Sequence, residues 1–187
     1  MPLTTVPLPY GIRDIRLTPF TTAAATVYGT PTVDLPYART LSFSETEEFT
    51  ELRGDDTLIA VHGQGSQVEW EIEAGGLSLE AYATMAGGAI TESGTTPDQV
   101  KTYDKLATDQ RPYFKIEGQA ISDSGGDLHT IIYKAKVNDT LEGEFTDGEF
   151  FLTSGSGVGL GSTVTADVGK LYSFVQNETE AAIPAPA

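Results

Sequence analysis

Residues Gln67–Gly75 read QVEWEIEAG, with Val68, Trp70 and Ile72 at one parity and Glu69, Glu71 and Glu73 at the other. A β-strand sends successive side chains to opposite faces, so this stretch buries an apolar trio and stands three carboxylates in a row about 6.5–7 Å apart. Like charges at that spacing repel, mildly in water and strongly if confined. The row needs solvent around it or a use for its field.

The same strand chemistry runs along most of the chain. Runs rich in β-branched and aromatic residues cover Tyr10–Thr18, Ala38–Phe43, Leu58–Gly63, Ser66–Glu73, Tyr113–Ile121, Leu128–Val137, Glu149–Thr153 and Leu171–Asn177. Gly, Asp, Ser and Pro clusters punctuate them, a spacing that suits a sandwich or barrel. DSGG joins PYFKIEGQAIS to DLHTIIYKAKV as a hairpin. In that hairpin Phe114, Ile116, Ala120, Ile131, Tyr133, Ala135 and Val137 read as core, and Lys115, Glu117, Lys134 and Lys136 as a charged outer face.

One helix is expected over about 77–86, in GGLSLEAYATMAGG, with Leu79, Tyr82, Met85 and Ala86 as its stripe and Gly87–Gly88 as its stop. A second helix could start at TPDQ, with Thr96 and Gln99 as a capping box, although 100–106 reads equally as a strand. Between two strands, Ser44–Thr57 (SETEEFTELRGDDT) reads as a long acidic loop. Its isolated Phe49 and Leu52 suit anchoring on another surface better than solvation. The 187 residues are expected to form a single domain with flexible ends at 1–8 and 178–187.

Charge narrows the function. The chain has 27 acidic and 11 basic residues, a formal net charge of -16, which is wrong for a surface that grips nucleic-acid phosphates or anionic lipid. With 39% hydrophobic residues the composition is globular. The absence of cysteine excludes disulfides and thiolate metal sites and fits folding in a reducing cytoplasm. No signal-peptide pattern opens the sequence, and no apolar run reaches the roughly 18–20 residues of a membrane span.

Sites for chemistry are sparse. His62 and His129 both fall in strand patterns, and His129 shares the parity of Ile131 and Tyr133, which suits a packed, hydrogen-bonded ring. No spacing predicts a metal site. SGSGVGLGS (154–162) matches neither dinucleotide nor phosphate-loop glycine spacing and reads as a flexible connection or edge strand. DSGGD lacks the span of a calcium loop. Arg53-Gly54-Asp55 is a chance tripeptide, and the sequons at Asn138 and Asn177 have no meaning without secretion. The expectation is a protein that is no enzyme, with no catalytic residues, metal or cofactor.

The order of parts carries a resemblance. A Tyr-Gly strand is followed by the acidic segment, by VEWEIEAGG running into LSLEAYATMAGG, by RPYFKIEGQAISDSGGDLHTIIYKAKV, and by GEFTDGEFFLTSGSG. Over roughly 8–177 this resembles the major tail tube proteins of long-tailed (siphovirus-type) bacteriophages. The resemblance implies a mainly β fold, a β-sandwich or half-barrel with one flanking helix and an extended loop. It further implies hexameric rings stacked into a hollow tube, through which DNA passes without specific binding. Implied partners are further copies of the chain, a tape-measure protein, a tail terminator and a distal tail protein, in a virion tail assembled in the host cytoplasm.

By the same resemblance Glu69, Glu71 and Glu73 are candidates for a bore-facing acidic row, and Glu48, Phe49, Leu52 and Arg53 for ring-to-ring contact. Lys115, Lys134 and Lys136 form a candidate face towards neighbouring subunits. A related tube protein of a contractile particle or secretion apparatus shares the architecture. The rival from a different class is a monomeric carbohydrate-binding β-sandwich, which requires exposed aromatics in a cleft.

Overall fold

The computed structural model describes residues 6–184. The expected flexible ends at 1–8 and 178–187 therefore lie partly outside the described residues. The chain is mainly β: β1 (Asp14–Pro19), β2 (Val33–Leu35), β3 (Ala38–Gly54), β4 (Thr57–Gly75), α1 (Leu79–Ala86), β5 (Ala89–Ser93), β6 (Val100–Asp104), β7 (Phe114–Ile121), β8 (Asp127–Val137), β9 (Leu152–Gly159) and β10 (Tyr172–Asn177). The main sheet runs β2-β1-β7-β8-β9-β4-β3, all antiparallel, and β10 also pairs with β8. β8 thus forks: Ala135–Val137 faces β9, and Asp127–Ile132 faces β10.

The sheet curls until its far strands meet. A side chain at Gly118 of β7 would collide with Leu41 of β3, four strands away in the order. Inside the curl lie Ile15, Leu17, Val68, Trp70, Ile72, Phe114, Ile116, Ile132 and Val137. Trp70 meets Phe114 edge-on at 5.5 Å, a favoured aromatic geometry. α1 closes the curl with Ala81 and Met85, one turn apart and both buried. Leu79 and Tyr82, expected on that buried stripe, are only half-buried. Ser78 caps the helix by accepting from the Ala81 N–H at 3.2 Å, and Gly87, at φ 78°, ends it.

Four expectations need correction. The segment Ser44–Thr57 is no loop: it is the end of a β3–β4 hairpin, closed by Asp55 and Asp56 at φ 50° and 64°. Two successive left-handed residues make the tight turn that matches strand twist, and the acidic residues around it are the solvated faces of strands. The capping box at Thr96 does not start a helix, because Val100–Asp104 pairs with Ala89–Ser93 as a two-stranded ribbon.

The glycine-rich 154–162 forms neither a connection nor an edge. β9 lies between β4 and β8, with Gly155, Gly157 and Gly159 turned to the core. A Cβ at 155 would sit 2.8 Å from Met85 Sδ, and one at 159 would sit 2.8 Å from Ile132 Cγ2. Finally, a bulge between the Phe114–Ala135 and Ile116–Ile132 pairs shifts the β8 parity. Ile132 enters the core, and Ile131 and Tyr133 turn to the other face with His129.

Residues 178–184 form an extended strap across that other face. The Ala181 N–H donates to Asp127 Oδ2 at 3.0 Å, Gln119 Nε2 donates to the Ala181 carbonyl at 2.8 Å, and Arg16 donates to the Ile183 carbonyl at 2.7 Å. Ile183 is the strap's only buried side chain among the described residues.

Candidate assembly surfaces

Beyond Val68, β4 loses β9 and keeps only β3 as a partner. The hairpin therefore leaves the sheet as a free two-stranded ribbon, from the Thr46–Gln67 pair to the turn at Asp55–Asp56. Its faces follow from register. Phe49 and Glu51 share one face with Val61 and Ile59, and Thr50 and Leu52 share the other with His62, Ala60 and Leu58. Phe49 is 61% exposed, Leu52 59% and Ile59 63%, with Leu58 and Val61 also exposed. Large apolar residues stand on both faces. An isolated two-stranded ribbon is marginal in water, and this one spends its apolar residues without burying them.

Of the expected contact residues, Phe49 and Leu52 do stand on the ribbon, one per face. Arg53 pairs with Glu51 on its own strand at 2.8 Å, an exposed ion pair of small worth. Glu48 sits at a bulge opposite the Ser66–Gly63 stretch and forms no ion pair among the described residues. The apolar run of Leu58, Ile59 and Val61 was legible in TLIAVHG as a strand, but a strand run alone does not show exposure.

The acidic row lies where the alternation put it. Val68, Trp70 and Ile72 are buried and Glu69 and Glu71 exposed, whereas Glu73 meets Arg39 at 3.3 Å. Columns of small hydroxyl side chains flank the row, Thr40, Ser42 and Ser44 on β3 and Ser154 and Ser156 on β9. An open depression of about 650 Å³ on this face is lined by Ser42, Ser44, Glu69, Glu71, Asn138 and Ser156. At about 7 Å in water, adjacent carboxylates repel by roughly 0.6 kcal/mol, which the fold tolerates easily.

The three lysines make different contacts within the subunit. Lys115 is tied to buried Glu117 at 2.7 Å and lies over the Tyr28 ring. The Tyr28 hydroxyl, raised well above its usual range by burial and by Asp167, donates to that carboxylate at 3.1 Å. Lys134 and Lys136 instead both stand over Tyr113, at 4.7 and 4.8 Å from its centroid. Tyr113 as the platform between them is a feature that strand periodicity did not reveal.

No protein-family model matches this chain, and no curated protein matches it. Chemistry must be judged from the residues. His129 is buried, 3.1 Å from both Asp127 Oδ2 and the Ala181 carbonyl. His62 is exposed on the ribbon. Among the described residues no group of three or more His, Cys, Asp or Glu could hold a metal, and no helix is long and apolar enough to cross a membrane. The Gln119–Asp127–His129 cluster escaped sequence reading because its members come from two strands and hold a main chain, which has no motif.

Proposed function

We propose that this chain is a structural subunit that self-assembles, as the major tail tube proteins it resembles do, into rings stacked as a hollow tube for phage DNA. The ribbon carries the reading. A two-stranded arm with large apolar residues exposed on both faces loses free energy in water at every such residue and recovers it only when both faces are covered. The free edges of β3 and β10 add to this. β3 offers a long row of unpaired main-chain groups along its outer side, a liability for a monomer and a template for a neighbouring copy.

In this reading rings of six copies pair their edges, the ribbon reaches the next ring, and the face with Glu69, Glu71 and Glu73 turns to the bore. Carboxylates there would repel the phosphate backbone and keep DNA moving, whereas lysines would bind it and release counterions. The tape-measure, terminator and distal tail proteins are further partners in this proposal, and the virion tail is its location. The reaction class is none: the chain builds a conduit.

Light scattering on purified protein over rising concentration tests the reading. Wild-type chain should pass from subunits to multiples of six and longer particles, and a chain with the ribbon tip 47–64 replaced by a two-residue turn should stop at or before the ring. A monomer of unchanged mass at every concentration would contradict it.

A further inference from the structure

The connection from β8 to β9, residues 138–151, reads NDTLEGEFTDGEFF, with five carboxylates, no cation and three phenylalanines. Its ends are seated. Leu141 packs against the core, and the Tyr82 hydroxyl of α1 donates to the Glu142 carbonyl at 3.2 Å. Gly143 lies against the Phe151 ring, where a Cβ would stand 3.3 Å from Cζ, and the Phe151 carbonyl accepts from the Gly76 N–H at 2.8 Å. Between these seats the chain turns at 146–149. The Glu149 N–H donates to the Thr146 carbonyl at 3.2 Å, with Gly148 at φ 85°.

That turn puts a phenylalanine at each foot. Phe145 stacks on Phe151 with centroids 4.8 Å apart, yet it is 83% exposed, and Phe150 is 94% exposed. A plain connection solvates itself with small polar residues, whereas this one holds two large rings in water on an ordered frame. Asp139, Glu142, Glu144, Asp147 and Glu149 surround them, and none forms an ion pair among the described residues.

Exposed rings among uncompensated carboxylates set the chemistry of what covers them. The cover is apolar where it meets Phe145 and Phe150 and cationic around them. A second copy fails on charge, since it brings a net -16 and seven of its eleven lysines and arginines already hold a carboxylate. Nucleic acid and anionic lipid fail for the same reason.

We infer that the 138–151 connection is a docking site for a lysine- or arginine-rich amphipathic segment of a different protein. Phe145 and Phe150 are its apolar anchors, and the five carboxylates select the partner. The turn and the stacking on Phe151 hold Phe145 in place before binding, which lowers the ordering cost of the contact. The carboxylates steer the cationic segment in and make its capture depend on salt. The site is separate from the ribbon and stands whether or not copies assemble.

The probe is a short, fluorescently labelled leucine–lysine peptide that folds as an amphipathic helix, read by anisotropy at a dilution below self-association. Wild-type chain should bind it. F145S/F150S should bind it about tenfold or more weakly while holding oligolysine as before, because only the apolar contact is lost. E142Q/E144Q/E149Q should weaken both peptides and flatten the salt dependence. D98N/D104N/D123N removes as much charge at other exposed positions and should leave leucine–lysine binding unchanged. All three variants alter only exposed side chains and should keep the wild-type melting transition. No binding by the wild type, unchanged binding by F145S/F150S, or equal weakening by the two charge variants would overturn the site. F145S/F150S that binds normally but no longer self-associates would assign the loop to a second copy instead. A wild-type chain that binds the peptide with this pattern and never assembles would support the site and contradict only the assembly reading.

Discussion

At position 157 a methyl group would run into the Lys136 carbonyl, so Gly157→Ala must push β8 and β9 apart in the middle of the sheet. Overpacking of this kind costs about 1–3 kcal/mol. Urea unfolding followed by the single tryptophan, buried Trp70, should show that loss, while Ser156→Ala on the outer face stays within about 0.5 kcal/mol. The glycines at 155, 157 and 159 are spaced by two because their strand is, and each faces a neighbour that leaves no room. Their spacing was legible, but sequence alone shows no neighbour, and glycine usually signals a turn.

Asp127 carries a pH signature. Burial alone would raise its carboxyl, but hydrogen bonds from the Ala181 N–H, Asn177, Gln119 and His129 outweigh that and hold it at about 2. A folded value below the unfolded one stabilises the fold fully above about pH 4, and the contribution is lost as pH falls towards 2. That contribution is on the order of 2 kcal/mol. Asp127→Asn should therefore lower stability at pH 6 and flatten its decline between pH 4 and 2, read by the same urea midpoints. An unchanged acid limb would mean the strap is held by other contacts.

Among the elements, α1 and the β7–β8 hairpin were the most legible, because Ser78, Gly87 and the DSGG turn act locally through caps and left-handed backbone. Ser78→Ala should cost about 1 kcal/mol through the lost cap. The β3–β4 ribbon was the least legible. Its Glu45, Glu47, Glu48 and Glu51 look like loop composition, and only the Asp55–Asp56 turn with the register beyond it makes them strand faces. The bulge that moves Ile132 into the core in place of Ile131 was likewise invisible, since one extra residue shifts every parity after it. For the ribbon, Phe49→Ser with Ile59→Ser should leave the monomer's thermal midpoint within about 2 °C, because neither side chain is buried, yet abolish higher-order assembly. Equal loss of both would make the ribbon part of the monomer's own core.

On the scale of the whole molecule, the mainly β architecture followed from strand periodicity, whereas a surface that works only between copies would leave no pattern within one chain. Phe49 and Leu52 hinted at such a surface. If the acidic row faces a DNA channel, replacing Glu69, Glu71 and Glu73 with lysine should leave the subunit folded, since Glu69 and Glu71 are exposed and Glu73 has one surface ion pair. Tubes of that variant should retain added duplex DNA that wild-type tubes release, with the difference shrinking as salt rises. Electron microscopy of the purified wild-type chain at high concentration shows directly whether the subunit builds a tube. Hollow tubes of six-fold rings are the expected result. Dispersed single subunits under all conditions would contradict it.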